Sequence, residues 1–198
     1  MNQPVDTGKF VGPEESVLAG DDAGAITSLA PTSDESPYAQ AMREGERAFK
    51  ARQYATAFSR FEAAYQIGND PESLLSMAHT KFAAGSYAAC AYYLRQVLRE
   101  VPQLPRVNLR PRAFYGDPTV YVTDLRRLED DIARRPGDAE TALINAYFSW
   151  FDPDRGVRVA RQAVTDGLAS PNTPQATQAL EMFQEAMLSV LQERAASR

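Results

Sequence analysis

Residues that most often carry catalysis or bind metal ions are scarce in this chain. It has one histidine, His79, and one cysteine, Cys90. A zinc site needs several histidine or cysteine ligands, and a weak nucleophile needs a neighbouring base. We therefore expect neither a His–Cys metal cluster nor a conventional His-based triad. One cysteine cannot form an intrachain disulfide, so we predict a buried structural thiol at Cys90. His79 is predicted to lie in a groove or at the surface.

Two acidic stretches have residue types that could bind a cation. Residues 152–156 (Asp-Pro-Asp-Arg-Gly) resemble the start of a calcium loop, but the glycine comes one position early. Ala163 also stands where such a loop needs its bidentate glutamate. Residues 129–131 (Glu-Asp-Asp) are successive on one predicted helix, so their side chains point in different directions. We predict a plain turn, a solvated helix face, and neither metal nor cofactor. Catalytic activity remains an alternative only if carboxylates distant in sequence meet in the fold.

A proline-rich stretch between Val101 and Pro118 combines basic and apolar residues. Its prolines exclude a regular helix, so we predict an extended segment lying across the helices. Basic residues beside aromatics can bind nucleic acid, but three arginines make only a small basic surface in a chain of net charge −5. Packing with surface charge is favoured over phosphate contact. The three arginines and a tryptophan from a strongly apolar helix form a secondary candidate surface: Arg106, Arg110, Arg112 and Trp150.

The length of 198 residues and the 44% hydrophobic content suit one domain with a sizeable core. No apolar run approaches the length of a membrane span, and no secretory signal peptide is visible, which predicts a cytoplasmic protein. Residues 1–37 carry seven acids against one lysine, a net of −6 that leaves +1 for the remainder. They show no sustained hydrophobic period. We predict a disordered acidic tail, with a short docking segment as the rarer alternative.

Residues 38–198 are predicted to be helical, because apolar residues recur there every three or four positions. Asp70-Pro71 and Asp117-Pro118 are typical helix starts, and Gly68-Asn69 is a typical stop. The predicted helices span about 38–52, 55–67, 70–84, 87–100, 118–135, 139–151, 157–167 and 173–195. The last one carries a broad apolar stripe that suits a terminal cap.

One pattern is written twice between Tyr38 and Pro102, at a spacing of 33 residues. A small residue in a first helix is followed by an aromatic, then a tyrosine in the turn, then a second helix with an apolar face. The superimposed pairs are Gly45/Ala78, Phe49/Phe82, Tyr54/Tyr87, Ala57/Cys90, Phe61/Leu94 and Ala64/Val97. A small residue at the centre of the first helix lets the second helix pack close to it.

These residues resemble the tetratricopeptide repeat (TPR) family. The resemblance implies a solenoid of helical hairpins, with repeats near 38–70 and 71–102, an insertion at 103–117, divergent helices over 118–167 and a capping helix at 173–195. The helix starting at Pro118 resembles the second half of a repeat. In that family the first helix of each pair lines a concave face. Carried over, the face is Met42, Arg43, Glu46, Phe49 and Lys50 in the first repeat, and Leu75, Ser76, His79, Phe82 and Ala83 in the second.

The resemblance implies a protein–protein interaction module rather than an enzyme. The family's chaperone-binding clamp is absent, because Met42, Glu46, Glu72 and Ser76 hold its positions. We therefore expect an adaptor or scaffold whose mostly apolar groove holds a peptide or helix of another protein. The alternative is a structural subunit, in which the same surfaces are buried against copies of the chain or in a larger complex.

Overall fold

The computed structural model describes residues 24–30 and 35–197. Within them it contains eight α-helices, which confirms the predicted all-α class, and each helix ends within about two residues of its predicted bounds. The helices are α1 (Pro37–Lys50), α2 (Tyr54–Gly68), α3 (Pro71–Ala83), α4 (Tyr87–Glu100), α5 (Pro118–Arg134), α6 (Ala139–Phe151), α7 (Gly156–Leu168) and α8 (Pro174–Ala196). None of them combines the length and the apolar character needed to cross a membrane.

Side-chain caps fix the beginnings of five helices, and those of α1, α3 and α5 share one form. The Ser36 hydroxyl accepts a hydrogen bond from the Ala39 N–H at 3.2 Å. Asp70 and Asp117 accept from the N–H two residues on, at 2.7 and 2.9 Å. A proline follows each of these three caps, where a helix has an N–H without an intrahelical partner. Helix α2 ends at Asn69, which takes a left-handed φ of 47°.

Consecutive helices pair into three hairpins: α1 with α2, α3 with α4, and α6 with α7. Helix α3 also packs on α2, and α6 packs on α4, so the hairpins stand in a row. Helix α8 packs against α4, α6 and α7. Each hairpin buries an apolar face against its neighbour, which a single hairpin cannot do by itself.

The helices of the first hairpin pack most closely at a glycine, as the repeated pattern predicts. Gly45 on α1 faces the ring of Phe61 on α2, and a Cβ at position 45 would lie 2.6 Å from that ring. Phe61 and Ala57 are both fully buried. The small residues at positions 45 and 57 therefore set how closely the two helices approach.

We expect Gly45→Ala to destabilise the protein, although alanine is normally favoured over glycine inside a helix. Its methyl group would displace the buried Phe61 ring, and overpacking of this kind costs about 1–3 kcal/mol. Chemical denaturation would measure the loss. Phe61→Leu supplies the control. The double variant Gly45→Ala with Phe61→Leu should lose less stability than the sum of the two single-variant losses, because the smaller side chain at position 61 makes room for the methyl group. Strict additivity would contradict the close approach.

The stretch from Val101 to Asp117 differs from the prediction. It is not extended throughout, because two 3₁₀ helices form at Leu104–Arg106 and Pro111–Phe114. Leu104, Leu109 and Phe114 are fully buried. The prolines exclude an α-helix but tolerate these short turns, and the apolar side chains hold the stretch against the helices.

Helix α5 also lies elsewhere than the resemblance implies. As the second half of a repeat it would pack beside α4, whereas it contacts α3, α6 and the turn at Pro111–Phe114. Its buried side chains include Tyr121 and Leu128. Arg127 reaches the carbonyl of Ala83, the last residue of α3, at 2.7 Å. Helix α5 therefore covers α3 and α6, the first helices of the second and third hairpins.

The predicted acidic tail falls mostly outside the described residues, since only residues 24–30, 35 and 36 of it precede α1 within them. For Ile26–Ala30 the prediction of a solvated tail is wrong. Leu29 and Ala30 are 5% and 4% exposed and belong to the main hydrophobic core. This stretch follows the rarer alternative, a short docking segment.

Candidate functional site

The predicted concave face exists as one side of α1 and α3, which we call the first-helix face, but other parts of the chain cover it. Most of the residues predicted to line an open groove are buried: Met42, Glu46, Phe49, Leu75, Ser76, His79, Phe82 and Ala83. Arg43 is half-buried and Lys50 is exposed. The expectation of a ready-made open groove is therefore wrong in this structure.

Aromatic side chains fill the part of the first-helix face nearest α5 and α6. Phe49 packs edge-on against Tyr115, with 5.0 Å between ring centroids. Phe82 stacks on Phe148 of α6 at 3.9 Å. His79 lies at the centre, in edge contact with Phe114 and Phe148 at 4.9 and 5.2 Å. This half of the face is hydrophobic core and has no room for a partner.

His79 is buried completely, so the prediction of a groove or surface histidine is wrong. One ring nitrogen, Nε2, shares a hydrogen bond with the Tyr147 hydroxyl at 2.9 Å. Burial lowers the pKa of His79 to about 3, because the charged form would lose its hydration. A neutral imidazole with a tyrosine partner and no access to solvent is a packing residue in this structure.

The pH dependence of stability should report this burial. Below about pH 6.5 the unfolded chain protonates its histidine, while the folded protein does not do so until about pH 3. The contribution of neutral His79 is thus complete above pH 6.5 and is lost as pH falls, by about 1.4 kcal/mol per pH unit. We expect the stability difference between the wild type and His79→Gln to shrink or reverse between pH 6.5 and 4 in urea denaturation. A pH-independent difference would place the histidine in solvent.

The other half of the first-helix face holds a short extended segment of the chain itself, Gly24–Ala30. Its backbone forms a parallel bridge between Ile26 and Leu109. The Ile26 N–H donates to the Asn108 carbonyl at 2.8 Å, and the Arg110 N–H donates to the Ile26 carbonyl at 3.0 Å. The segment is therefore bound in the way that an added β-strand is bound, through main-chain hydrogen bonds.

Glu46 recognises the middle of this segment. Its two carboxylate oxygens lie 3.0 and 2.9 Å from the Ser28 hydroxyl and share its one proton, and Oε1 also accepts from the Leu29 N–H at 3.3 Å. Lys50, one turn along α1, lies 2.9 Å from the same carboxylate. Hydrogen bonds to a charged acceptor are stronger than neutral ones, so Glu46 is the main polar contact of the segment.

Leu29 is the apolar anchor of the segment. Ser76 on α3 donates to the Leu29 carbonyl at 3.4 Å. Burying a leucine side chain contributes about 1.5–3 kcal/mol. A small cavity of about 20 Å³ remains beside it, lined by Ile26, Ser28, Leu29, Glu72, Leu75, Ser76, Leu109 and Phe114. Three residues predicted for the groove, Glu46, Leu75 and Ser76, thus contact or line the site that holds Gly24–Ala30. We call this site the peptide seat.

The sequence did not mark Ile26, Ser28 and Leu29 of the segment, or Asn108 and Leu109 opposite it, as parts of this site, and it placed Arg110 on another surface. Their apolar members were visible as isolated residues in a polar tail, but no periodicity marked them. Val107, Leu109 and Phe114 are all buried, but the prolines around them leave no regular period. The only available signal was the presence of large apolar residues in a stretch otherwise typical of disorder.

The secondary candidate surface is used for packing within the chain. Arg106 forms an ion pair with Glu193 of α8 at 2.5 Å. The Trp150 indole N–H donates to the Pro105 carbonyl at 2.9 Å, and the Arg194 guanidinium lies 5.4 Å from the Trp150 ring. Arg110 is half-buried and contributes its backbone N–H to the Ile26 bridge.

The acidic stretches also have arginine partners. Arg112 lies 3.3 Å from buried Asp152 and 2.6 Å from Asp154, so a guanidinium occupies the side of this turn where a cation would bind. Glu129 pairs with Arg155, and Asp131 pairs with Arg134 and Arg135. In the described part of the chain, no group of three or more His, Cys, Asp or Glu side chains could hold a metal ion.

A second concavity, of about 140 Å³, lies between α4 and α8. Its walls are Tyr92, Arg95, Gln96, Arg99, Gln175, Gln178, Ala179 and Met182. Tyr92 is 48% exposed, and Arg95 forms an ion pair with Glu140 at 2.9 Å. Arginine and glutamine side chains make up most of its walls.

Comparison with models of protein families, with curated proteins and with solved structures gave no match. The function has to be inferred from the first-helix face and its contacts.

Proposed function

We propose that the protein is a protein–protein interaction module, a TPR-like array of helical hairpins whose first-helix face binds an extended stretch of polypeptide. The observation that carries the proposal is the seat of Gly24–Ala30, where Glu46, Ser76 and a single β-bridge to Leu109 hold a peptide-like segment. The 33-residue repeat and the close approach at Gly45 support the TPR-like register.

The contacts in this seat are those of peptide recognition. Main-chain hydrogen bonds give affinity to any extended chain, and one buried side chain with one charged acceptor gives selectivity. A core contact between regular elements would instead bury a continuous apolar face. The extended mode replaces the broader expectation of a peptide or a helix, because the bound segment pairs through main-chain hydrogen bonds with Asn108 and Arg110.

The alternative, a permanent structural subunit, has less support. Permanent interfaces are large and more hydrophobic than the remaining surface. Among the described residues the exposed large hydrophobic side chains are Ile67, Tyr92 and Leu188, which lie on three different helices. Single exposed hydrophobic residues of this kind are ordinary on a protein surface.

Selection from a display library of random peptides against the immobilised full-length chain would test the proposed function. We expect enriched peptides that bind with micromolar or better affinity and compete with one another. Light scattering over a range of concentrations is the companion measurement. A stable oligomer together with no enriched peptide would favour the structural subunit and overturn the proposal.

A further inference from the structure

We infer that Gly24–Ala30 is a built-in, displaceable occupant of the peptide seat, and that the partner of this protein presents an extended segment of the same chemistry. That segment has an aliphatic residue in the position of Ile26, any residue at Thr27, and serine or threonine at Ser28. Leucine follows in the position of Leu29, and a small residue in that of Ala30. This inference rests on the proposed function and names the ligand class of the same site.

The contacts define each position of that pattern. Ile26 supplies the main-chain pairing with Asn108 and Arg110. Thr27 is exposed, so its position is free to vary. Ser28 must donate to the Glu46 carboxylate at 2.9 Å, which rejects an acidic residue by like-charge repulsion. Leu29 and Ala30 are buried, and the space allows a large aliphatic residue followed by a small one.

The same contacts show why the segment can leave. Within the described residues it is paired through a single bridge rather than a strand ladder, and its hydrogen bonds to the helices and to the Val101–Asp117 stretch come from Ile26, Ser28 and the Leu29 backbone. A cavity of about 20 Å³, room for about one water molecule, remains in its seat. Elements with few buried contacts open most easily, and a better-fitting ligand would gain packing that the chain's own segment lacks.

The segment is held in place by its connection to α1, which begins a few residues after Ala30. A short tether of this kind gives an effective concentration of roughly millimolar. A free peptide with identical contacts therefore competes poorly with the wild-type chain. It should bind well once the chain's own segment is weakened.

The probe is the capped peptide Gly-Ala-Ile-Thr-Ser-Leu-Ala, labelled with a fluorophore and titrated into full-length protein. We expect the Leu29→Asp protein to bind it at least tenfold more tightly than the wild type does. Adding Glu46→Gln to Leu29→Asp should weaken binding at least tenfold, which assigns the peptide to this seat. A control peptide with aspartate in place of its serine should bind neither protein.

A folded Leu29→Asp protein that binds no more tightly than the wild type would overturn the inference. Ser28→Asp provides a second released chain, and unfolding of both variants would overturn it too, since the segment would then be an obligatory part of the fold. A wild-type dimer that Leu29→Asp abolishes would make a second copy the occupant and exclude a foreign partner. Library peptides that bind without displacing the probe would overturn this inference and leave only the broader proposal of a protein–protein interaction module, with its binding site away from the first-helix face.

Discussion

The double substitution Leu75→Glu with His79→Glu is expected to unfold the protein at 25 °C. The two residues lie one turn apart on α3 and are 4% and 0% exposed. A carboxylate in place of His79 would lose its hydration beside Phe114 and Phe148, and one in place of Leu75 would be buried beside Leu29 and Leu109. An unpaired buried charge costs several kcal/mol, and a domain is stable by only about 5–15 kcal/mol in total. Far-UV circular dichroism and a thermal scan would show the loss of cooperative unfolding.

The control places the same two charges at the same spacing on an exposed face. Ala63 and Ile67 of α2 are both exposed, and Ala63→Glu with Ile67→Glu should cost no more than about 1 kcal/mol. A cooperative transition in the α3 variant, close to that of the α2 control, would mean that Leu75 and His79 face solvent. The open groove of the TPR resemblance would then be restored.

Helix positions could be predicted from the sequence because their signals are local. Asp70-Pro71 and Asp117-Pro118 carry both the cap and the first-turn proline within two residues, and α4 and α6 have the predicted bounds. The hairpin contacts were predictable for a related reason. Gly45 and Phe61 lie in adjacent helices joined by a short turn, so spacing alone brings them together.

The covering of the first-helix face was not predictable, because it depends on contacts between residues far apart in sequence. His79 meets Tyr147 across 68 positions, and Glu46 meets Ser28 across 18. The sequence around a polar residue on a first helix does not show which distant residue will bury it. From its residue type alone, such a side chain is predicted to be exposed.

Helix α5 shows the same limit in another form. Its amphipathic pattern predicts a buried side but does not state which neighbour covers it. Packing beside α4 and packing across α3 and α6 would bury the same residues, including Tyr121 and Leu128. The choice between them depends on the stretch from Val101 to Asp117, whose 3₁₀ turns and buried leucines have no periodicity that a sequence pattern could reveal.

Phe148→Ala is the second substitution expected to have a large effect. Phe148 is 1% exposed and stacks on Phe82 at 3.9 Å, and it also packs edge-on against His79 and Tyr147. It thereby joins α6 to α3, so its loss opens a cavity between two hairpins. Removing a buried phenylalanine costs about 3–5 kcal/mol, which corresponds to a fall of roughly 10 °C in the melting temperature.

Calorimetry or a thermal scan would measure this change, with Tyr92→Ala as the matched aromatic control. Tyr92 is 48% exposed, so its truncation should cost less than about 1 kcal/mol. The double variant with Phe82→Ala should be less destabilised than the sum of the single losses, since the two rings bury each other. Equal melting temperatures for Phe148→Ala and Tyr92→Ala would contradict the contact between α3 and α6. The first-helix face would then be open at this end, and a partner could enter where the structure places core.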